Sequence, residues 1–288
     1  MTPSLFSPKN IIVQGITGTH GSFHTRNMVK YGTNIVAGTS PTKAGSDFDG
    51  IPVYRTIEDI KQNHSVDASV IFVPAPFAKG AMIEAIDGNV PLIVCITENI
   101  PVHDMLEVRQ YNEASGSKST IIGPNCPGVL VPGENLIGII PAKLASRGNT
   151  AVVSRSGTLT YEAMDLLTRH GFGQKYIIGI GGDYIRGSGF VDCLELFEND
   201  PDIKQIVMIG EIGGVDEVLA ADYISEYVSK PVYAYVAGHS APKGVQMGHA
   251  GAILGTNQLE TAKAKTDYLS QKGVHTANSI TELIASIE

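Results

Sequence analysis

The chain has 288 residues, 43% of them hydrophobic and 17% charged, and its formal net charge is −8 at pH 7. This length predicts two domains rather than one small core. The scattered Lys and Arg residues argue against nucleic acid as a partner, because a polyanion needs a clustered basic surface. No apolar run approaches the roughly 20 residues that cross a bilayer, so no membrane partner is expected.

The N-terminus and the cysteines favour an intracellular protein. The first residues, MTPSLFSPKNIIVQG, lack a basic region followed by an apolar core and a cleavage site. Cys95, Cys126 and Cys193 are odd in number, widely separated and without C-x-x-C spacing. We therefore expect free thiols, no metal site on this chain and a cytoplasmic location, with a mature mitochondrial matrix protein as the alternative.

Short runs rich in Val and Ile alternate with helix-like segments in the first part of the chain. These runs lie at residues 10–15, 34–38, 68–74, 91–97 and 119–124. Apolar runs of this length are typical of strands buried on both faces, and the intervening segments are long enough for crossover helices. We predict an α/β domain with a mainly parallel sheet over residues 1–123.

The alternation pauses and then resumes. Residues 124–149 are rich in Pro and Gly and poor in helix formers, so we predict an irregular connecting segment there. Further apolar runs follow at 150–154, 175–181, 205–211, 231–238 and 273–277. They predict a second open α/β sheet over residues 150–288, and ligands of such sheets bind beyond the carboxyl ends of the strands.

The first strand leads into a glycine-rich loop, QGITGTHGSFH, before an apparent helix. Its glycines are Gly15, Gly18 and Gly21. Backbone N–H groups in such a loop can approach a phosphate, and the helix start adds partial positive charge. The spacing is G-x-x-G-x-x-G and not the dinucleotide pattern G-x-G-x-x-G, and the loop could equally be a structural turn.

The end of the second strand narrows the choice of ligand. A carboxylate that would bind the ribose of NAD is absent about 20 residues after the loop, which disfavours a nicotinamide-dependent dehydrogenase. The stretch GTSPTKAG instead offers Thr39, Ser40 and Lys43. Such groups suit a phosphorylated ribose, which coenzyme A carries.

The stretch SRSGTLTYE places Ser156, Gly157 and Thr158 where the second domain's first strand enters a helix. Free N–H groups and hydroxyls there favour an anion site, whereas a plain serine N-cap is the structural alternative. The stretch does not match G-x-S-x-G, so serine hydrolase chemistry is disfavoured.

A carboxylate and a histidine follow. Glu211 ends the run QIVMIGE, and His249 lies between small residues in VQMGHAGAILG. If Glu211 accepts a hydrogen bond from one ring nitrogen, the other nitrogen becomes available as a nucleophile. A structural histidine is the alternative. Of the other seven histidines, His20 in the first glycine loop is the main further candidate for a ligand contact.

Together these segments resemble a known family. The stretches GITGTHGSFHT, VPAPF, ITENIP, GPNCPG, SRSGTLTYE, GIGGD, MIGEIGG and APKGVQMGHAGAI resemble, in order, the α subunits of succinyl-CoA synthetases, or succinate–CoA ligases. The resemblance implies an N-terminal Rossmann-like CoA-binding domain and a C-terminal flavodoxin-like ligase domain. It also implies an acid–thiol ligase of the tricarboxylic acid cycle.

The implied reaction has three reversible steps. Succinyl-CoA and phosphate give succinyl phosphate and CoA, the acyl phosphate phosphorylates a histidine, and the phosphohistidine converts a nucleoside diphosphate to the triphosphate. The resemblance implies that His249 is phosphorylated and that Glu211 orients it. It implies phosphate or substrate contacts at Ser156, Gly157, Thr158 and Tyr161. It implies CoA contacts at Thr17, Gly18, Thr19, His20, Lys43, Ile96, Thr97 and Glu98.

The resemblance also implies a partner. The nucleotide, ATP or GTP with Mg²⁺, is expected on a β subunit with an ATP-grasp fold, since this chain contains no G-x-x-x-x-G-K-[ST] motif. Cys126 is expected near the CoA thiol, without a role as a nucleophile. Whether the assembly is αβ or α₂β₂, and which nucleotide it uses, stays open.

Some positions depart from the family pattern. The family often has TPGKGG, KRMGHAGA and GGDPI where this chain has SPTKAG, VQMGHAGA and GGDYI. Lys43 and His249 are retained, but loss of a basic residue beside the loop of His249 bears on phosphate affinity or partner docking. Malate–CoA ligase and citryl-CoA synthetase subunits look similar, so another acid of the same mechanism is one alternative. A non-catalytic CoA-binding protein is the alternative from another class.

Overall fold

A computed structural model describes residues 1–116, 119–242, 244–255 and 257–287. Within them the chain forms two seven-stranded sheets, each mainly parallel and accompanied by helices. The α/β prediction is confirmed. In the described residues, no helix is both long and apolar enough to span a bilayer.

The first sheet is formed by β1 (Ile11–Gln14), β2 (Ile35–Thr39), β3 (Asp47–Phe48), β4 (Ile51–Tyr54), β5 (Ala68–Ile71), β6 (Leu92–Cys95) and β7 (Thr120–Ile122). Its helices are α1 (Thr19–Tyr31), α2 (Ile57–Lys61), α3 (Ala75–Asp87) and α4 (Val102–Ser115). All residues of β1, β5 and β6 are buried, as their apolar runs predict. The short strands β3 and β4 were not predicted.

The strand order of this sheet is β3-β4-β2-β1-β5-β6-β7, and only the β3–β4 pair is antiparallel. The chain therefore proceeds outward from β1 in one direction to β2 and in the other to β5. The carboxyl end of β1 is a point where the topology switches, which is where open α/β sheets bind ligands. The predicted glycine loop begins there.

The second sheet is formed by β8 (Gly128–Val131), β9 (Asn135–Gly138), β10 (Arg147–Ser154), β11 (Gln174–Gly179), β12 (Gln205–Glu211), β13 (Val232–Ala237) and β14 (His275–Thr276). Its helices are α5 (Gly157–Arg169), α6 (Phe190–Asn199), α7 (Asp216–Tyr227), α8 (Ala262–Gln271) and α9 (Ile280–Ala285). Short 3₁₀ turns cover Pro3–Phe6, Ala142–Leu144 and Gln258–Glu260. The strand order is β14-β13-β12-β10-β11-β8-β9, so the switch lies beside β10.

The prediction that residues 124–149 are irregular is wrong, because this segment contains two strands. β8 and β9 form an antiparallel hairpin, and β8 pairs antiparallel with β11, so the segment extends the second sheet. The many glycines concealed this pairing, yet one of them permits it: a Cβ at Gly128 would lie 2.1 Å from the carbonyl oxygen of Ile137. The domain bounds 1–123, 124–149 and 150–288 remain a prediction.

The same hairpin fastens the two sheets together. The Thr33 hydroxyl donates to the Leu136 carbonyl at 2.9 Å and accepts from the Leu136 N–H at 2.9 Å. The Gly133 N–H donates to the Tyr31 hydroxyl at 2.8 Å. One apolar core includes residues of both sheets, and a second core lies on the other face of the first sheet. This packing brings the carboxyl ends of both sheets to one cavity.

Candidate functional site

A cavity of about 640 Å³ is bounded by loops of both sheets. From the first sheet, its lining includes His20, His24, Phe72, Ile96, Thr97 and Glu98. From the connecting segment and the second sheet, it includes Asn125, Cys126, Gly157, Thr158, Tyr161 and His249. Loops that lie far apart in the sequence therefore share one space.

His249 lies in the cavity wall and is fixed from behind by Glu211. The Nδ1 atom of His249 is 2.8 Å from Oε2 of Glu211. Because an ionised carboxylate can only accept, Nδ1 carries the hydrogen and donates it. The Glu211 side chain comes from the carboxyl end of β12 and is buried, whereas the His249 side chain is 27% exposed. This arrangement leaves Nε2 as the ring nitrogen available to a ligand.

The environment of His249 raises its pKa above the usual value. The hydrogen bond from Nδ1 to Glu211 is the largest cause, because it stabilises the imidazolium. Burial and the positive charge of Arg155 act in the opposite direction. Asp183, on the neighbouring loop after β11, adds a smaller upward effect. The protonation state of the ring therefore depends on several charges that surround it.

Glu211 belongs to a buried cluster of charges. A guanidinium nitrogen of Arg155 lies 3.2 Å from Oε1 of Glu211, and another lies 3.0 Å from Oε1 of Glu217. The Lys265 ammonium forms an ion pair with Glu217 and donates to the Glu211 carbonyl at 2.7 Å. Arg155 is 2% exposed, and Glu217 and Lys265 are both 0% exposed. Two positive and two negative side chains thus meet beneath the histidine.

The charges within this cluster stabilise one another. Burial alone would raise the pKa of Glu217, but Arg155 and Lys265 more than compensate and lower it to about 2. Glu217 also accepts from the Glu211 backbone N–H at 3.1 Å. Such a cluster holds the end of β12, the start of α7 and α8 in a fixed relation.

The small residues around His249 are required by close packing. A Cβ at Gly182 would lie 2.2 Å from Cγ of His249, and one at Gly213 would lie 2.1 Å from the Gly251 carbonyl oxygen. The Gly251 N–H donates to the Gly182 carbonyl at 2.9 Å. Gly248 has φ +80°, a conformation that glycine adopts without strain. These glycines let the loop approach the sheet ends closely enough for the ring to reach Glu211.

The start of α5 faces the same cavity. Gly157, Thr158 and Tyr161 line the space next to His249. The Ser156 hydroxyl accepts from the Leu159 N–H at 3.3 Å, so it is the N-cap. The cap and the anion site are not exclusive, because the first N–H groups of any helix lack intrahelical partners. The helix start can therefore receive an anion beside the histidine.

The predicted CoA residues fall into two groups. His20, Ile96, Thr97 and Glu98 line the cavity, whereas Thr17, Gly18, Thr19 and Lys43 do not. Thr17 joins its loop to the next one through a 2.8 Å hydrogen bond between its hydroxyl and that of Ser40. Gly18 is the N-cap of α1, Thr19 is its first residue, and Lys43 is exposed. Thr17, Gly18, Thr19 and Lys43 thus lie outside the cavity lining, whereas His20 of the same glycine loop belongs to it.

The glycine loop has tight local geometry. Gly15 has φ +86°, and the Gly18 N–H donates to its carbonyl at 3.0 Å. A Cβ at Gly21 would lie 2.1 Å from the Gly15 carbonyl oxygen. The glycines of this loop are therefore required by the turn itself, which is the structural alternative to a phosphate site.

Cys126 lines the cavity as a buried thiol. Its sulfur donates to the Cys95 carbonyl oxygen at 3.2 Å, and burial raises its pKa above the ordinary value. A thiol whose ionised form is disfavoured is a poor nucleophile at neutral pH. Cys95, Cys126 and Cys193 are all free and buried.

Sequence reasoning missed several residues, some around the histidine and others in the cavity wall. They are Arg155, Asp183, Glu217, Lys265 and the stacked pair His24 and Phe72, whose ring centroids are 5.6 Å apart. Arg155 directly precedes the quoted Ser156, so its place after an apolar strand was an available signal. No comparable signal was present for Lys265, because it belongs to a helix whose composition is typical of a solvent-exposed helix.

The described residues contain one group with the spacing of metal ligands, His103, Asp104 and Glu107 on α4. The Lys79 ammonium is 2.8 Å from Asp104 and 2.9 Å from Glu107. A cation of the protein itself thus neutralises these carboxylates, and the group lies outside the cavity lining.

Two family models match the chain. The one described as CoA binding domain matches residues 6–99, and the one described as CoA-ligase matches residues 153–275. Together they include β1 to β6 of the first sheet and β11 to β13 of the second.

Similar proteins agree with these matches. The succinate–CoA ligase (ADP-forming) subunit alpha of Aquifex aeolicus (strain VF5) is 48% identical over 280 residues, 96% of this chain and 92% of that protein. Subunit alpha 2 of the same enzyme from Archaeoglobus fulgidus is 49% identical over 280 residues, 96% of each.

The fold also resembles a solved structure. An ATP citrate lyase from Methanothrix soehngenii, in complex with citrate and coenzyme A, matches with TM-score 0.86 and 26% identity. The match covers 97% of this chain and 49% of that one, so the present chain corresponds to about half of the citrate lyase.

Proposed function

Because the chain belongs to the family of succinate–CoA ligase α subunits, we propose that it performs the acyl-CoA half of a nucleotide-forming acid–thiol ligase. The reaction is the reversible conversion of succinyl-CoA, phosphate and a nucleoside diphosphate to succinate, CoA and the triphosphate. The observation that supports this most is the His249–Glu211 pair beside the start of α5, in a cavity shared with predicted CoA contacts.

The first step needs CoA and phosphate held near each other. We assign the 3′-phosphate of CoA to Lys43 and the hydroxyl-bearing loops joined by Thr17 and Ser40. The thioester end would enter the cavity past Ile96 and Thr97. Phosphate would lie at the start of α5, where the free N–H groups of Gly157 and Thr158 favour an anion.

In the second step, His249 takes the phosphoryl group from succinyl phosphate. The lone pair of Nε2 attacks phosphorus, a P–N bond forms, and the bond between phosphorus and the acyl oxygen breaks to release succinate. Nδ1 keeps its hydrogen and donates it to Glu211, which stabilises the positive charge that develops on the ring. Tyr161, in the cavity wall, is proposed to contact the acid.

The third step requires a partner. We propose that a β subunit with an ATP-grasp fold holds the nucleotide and its Mg²⁺. The phosphohistidine would pass its phosphoryl group to the diphosphate there. Relatives named as ADP-forming favour adenine nucleotides. An αβ or α₂β₂ assembly with that subunit is part of the proposal.

The test is to co-express the chain with the β subunit of its own source and to add γ-³²P-labelled ATP or GTP with Mg²⁺. Acid-labile label is expected on the wild type and not on His249→Asn, and succinate plus CoA should discharge it. Binding of CoA by His249→Asn should equal that of the wild type, which checks that the variant folds.

Other outcomes would decide between the alternatives. Discharge of the label by malate plus CoA or citrate plus CoA, but not by succinate plus CoA, would mean that the substrate is that other acid and that the phosphohistidine mechanism still holds. Equal label on the wild type and on His249→Asn would overturn the histidine relay. Binding of CoA without any labelling in a verified complex would favour a non-catalytic CoA-binding protein.

A further inference from the structure

The phosphorylation site contains a group with no role in the reaction as described above. Arg155 is 2% exposed and lies between two carboxylates, Glu211 on one side and Glu217 on the other. An arginine buried so completely is rare unless it neutralises other buried charges. Its position behind the nucleophile makes this neutralisation relevant to chemistry.

We propose that Arg155 is a positioning residue of the phosphorylation site. It neutralises Glu211, so that His249 binds to this carboxylate as a neutral imidazole with Nε2 free to attack. The inference rests on the proposed function, since it assumes that His249 is the nucleophile.

Each of the two carboxylates in the cluster contacts two other side chains. Glu211 presents Oε2 to His249 at 2.8 Å and Oε1 to Arg155 at 3.2 Å, so one carboxylate serves both groups. Glu217 is shared in the same way by Arg155 and Lys265. The cluster of Arg155, Glu211, Glu217 and Lys265 is therefore neutral as a whole before the histidine contributes any charge.

This neutrality has a consequence for His249. An unopposed Glu211 carboxylate in a buried site would favour the imidazolium strongly, and an imidazolium has no lone pair at Nε2. Arg155 counteracts this attraction and lowers the pKa of His249, while Glu211 raises it.

Several other charges face the same ring or the cluster. Asp183 raises the pKa of His249 and is itself held by the Asn125 amide, which donates to it at 2.9 Å. Arg186 pairs with Asp216 at the start of α7, and Glu98 acts on Asp183 from the first sheet. These groups stay unchanged in the test, so a change at Arg155 reports on the cluster alone.

Two substitutions have opposite expected effects. Arg155→Met removes a positive charge and should raise the pKa of His249 by about one unit or more. Glu217→Gln removes a negative charge that competes for Arg155 and should lower the pKa of His249. The double variant, Arg155→Met with Glu217→Gln, restores the neutral balance and should return the pKa of His249 toward the wild-type value. A merely structural role of Arg155 does not predict a change of sign.

The measurement is an NMR titration of His249 in the complex with the β subunit, using histidine labelled with ¹³C at Cε1. The His249→Asn variant assigns the signal. Arg169→Met is the matched control, because Arg169 is on the exposed face of α5 in an ion pair with Asp165 and its side chain is 71% exposed. It should leave the titration unchanged.

The kinetic readout is the pH dependence of ³²P incorporation into His249. The acid limb of the rate should move to higher pH in Arg155→Met and to lower pH in Glu217→Gln. If Arg155→Met does not fold, the proposal is tested by Glu217→Gln alone, through the direction in which the pKa of His249 and the acid limb of the rate shift. An unchanged or upward shift in Glu217→Gln, or an unchanged titration in a folded Arg155→Met, would overturn the proposal.

The two hypotheses fail in different ways. If wild-type protein shows no label on His249, the proposed function is wrong whatever the titrations show. If the wild type is labelled and discharged but the titrations are unaffected by Arg155, the function stands and the role of Arg155 is wrong.

Discussion

The two sheets each switch topology beside one strand, β1 in the first and β10 in the second, and the two ends present different groups to a ligand. At β1 the loop offers backbone N–H groups, the Thr17–Ser40 hydroxyl pair and the exposed Lys43. At β10 the helix start lies beside a histidine held by buried charges. The first end suits a ligand that binds and leaves unchanged. The second suits a group whose protonation must be controlled while a bond forms.

The difference between the ends predicts where substitutions cost most. At the β10 end each group depends on others that water cannot replace, so single changes are severe. At the β1 end solvent can substitute for a lost contact, so changes there are mild and act on binding.

Glu211→Gln should have the largest effect. The amide retains the shape but loses the charge that stabilises the developing imidazolium, so labelling of His249 should fall by about 10²–10⁴-fold. Rapid-quench measurement of phosphohistidine formation checks this. Glu113→Gln, an exposed acid on α4, is the control and should label normally. Labelling of Glu211→Gln within a factor of three of the wild type would contradict the assigned role of Glu211.

Gly182→Ala should come next. The new Cβ would overlap the His249 ring, whose Cγ lies 2.2 Å from the built position, so the ring must leave Glu211. We expect labelling to fall by about 100-fold while CoA affinity is kept, because misplacement of a reacting group by about 1 Å costs that much. Gly80→Ala is the matched control, since nothing lies within 4 Å of a Cβ there. Normal labelling of Gly182→Ala would mean that this ring position is not needed.

Lys43→Ala should affect the other end of the molecule by about tenfold. Loss of one exposed phosphate contact should raise KM for CoA with little change in kcat. The assay should be repeated with 3′-dephospho-CoA, for which the variant and the wild type should differ little. Lys9→Ala, another exposed lysine, serves as the control. A drop in kcat without a change in KM for CoA would mean that Lys43 does not contribute to CoA binding.

The smallest expected effect concerns stability. The hydrogen bond to Glu211 raises the pKa of His249 in the folded protein, so its stabilisation is fully present below the unfolded value of about 6.5. That stabilisation should be lost as the pH rises through the folded value. Denaturant unfolding of the wild type and His249→Asn over this range checks the sign. A difference in unfolding free energy between the wild type and His249→Asn that grows with rising pH would contradict this sign.

Much of the fold followed from local pattern. Each of the ten predicted apolar runs overlaps a strand. Runs that are nearly continuous in apolar residues are buried throughout in β1, β5, β6 and β12, whereas β14 is not buried. The hairpin β8–β9 was missed, since its Gly and Pro content is typical of turns and only pairing with β11 identifies it as sheet. The family prediction, which rests on order and spacing of motifs, is confirmed.

Local periodicity was enough to predict two mainly parallel sheets, and the order of the motifs was enough to predict the family. The resemblance to that family then implied that Glu211 orients His249. Only the tertiary structure placed Arg155, Glu217 and Lys265 beneath that pair. Their contacts span up to 62 residues of sequence, and their burial depends on the packing of α7 against α8 and of α8 against β13. Charged side chains read as solvent-exposed until the fold supplies partners that compensate for the loss of water.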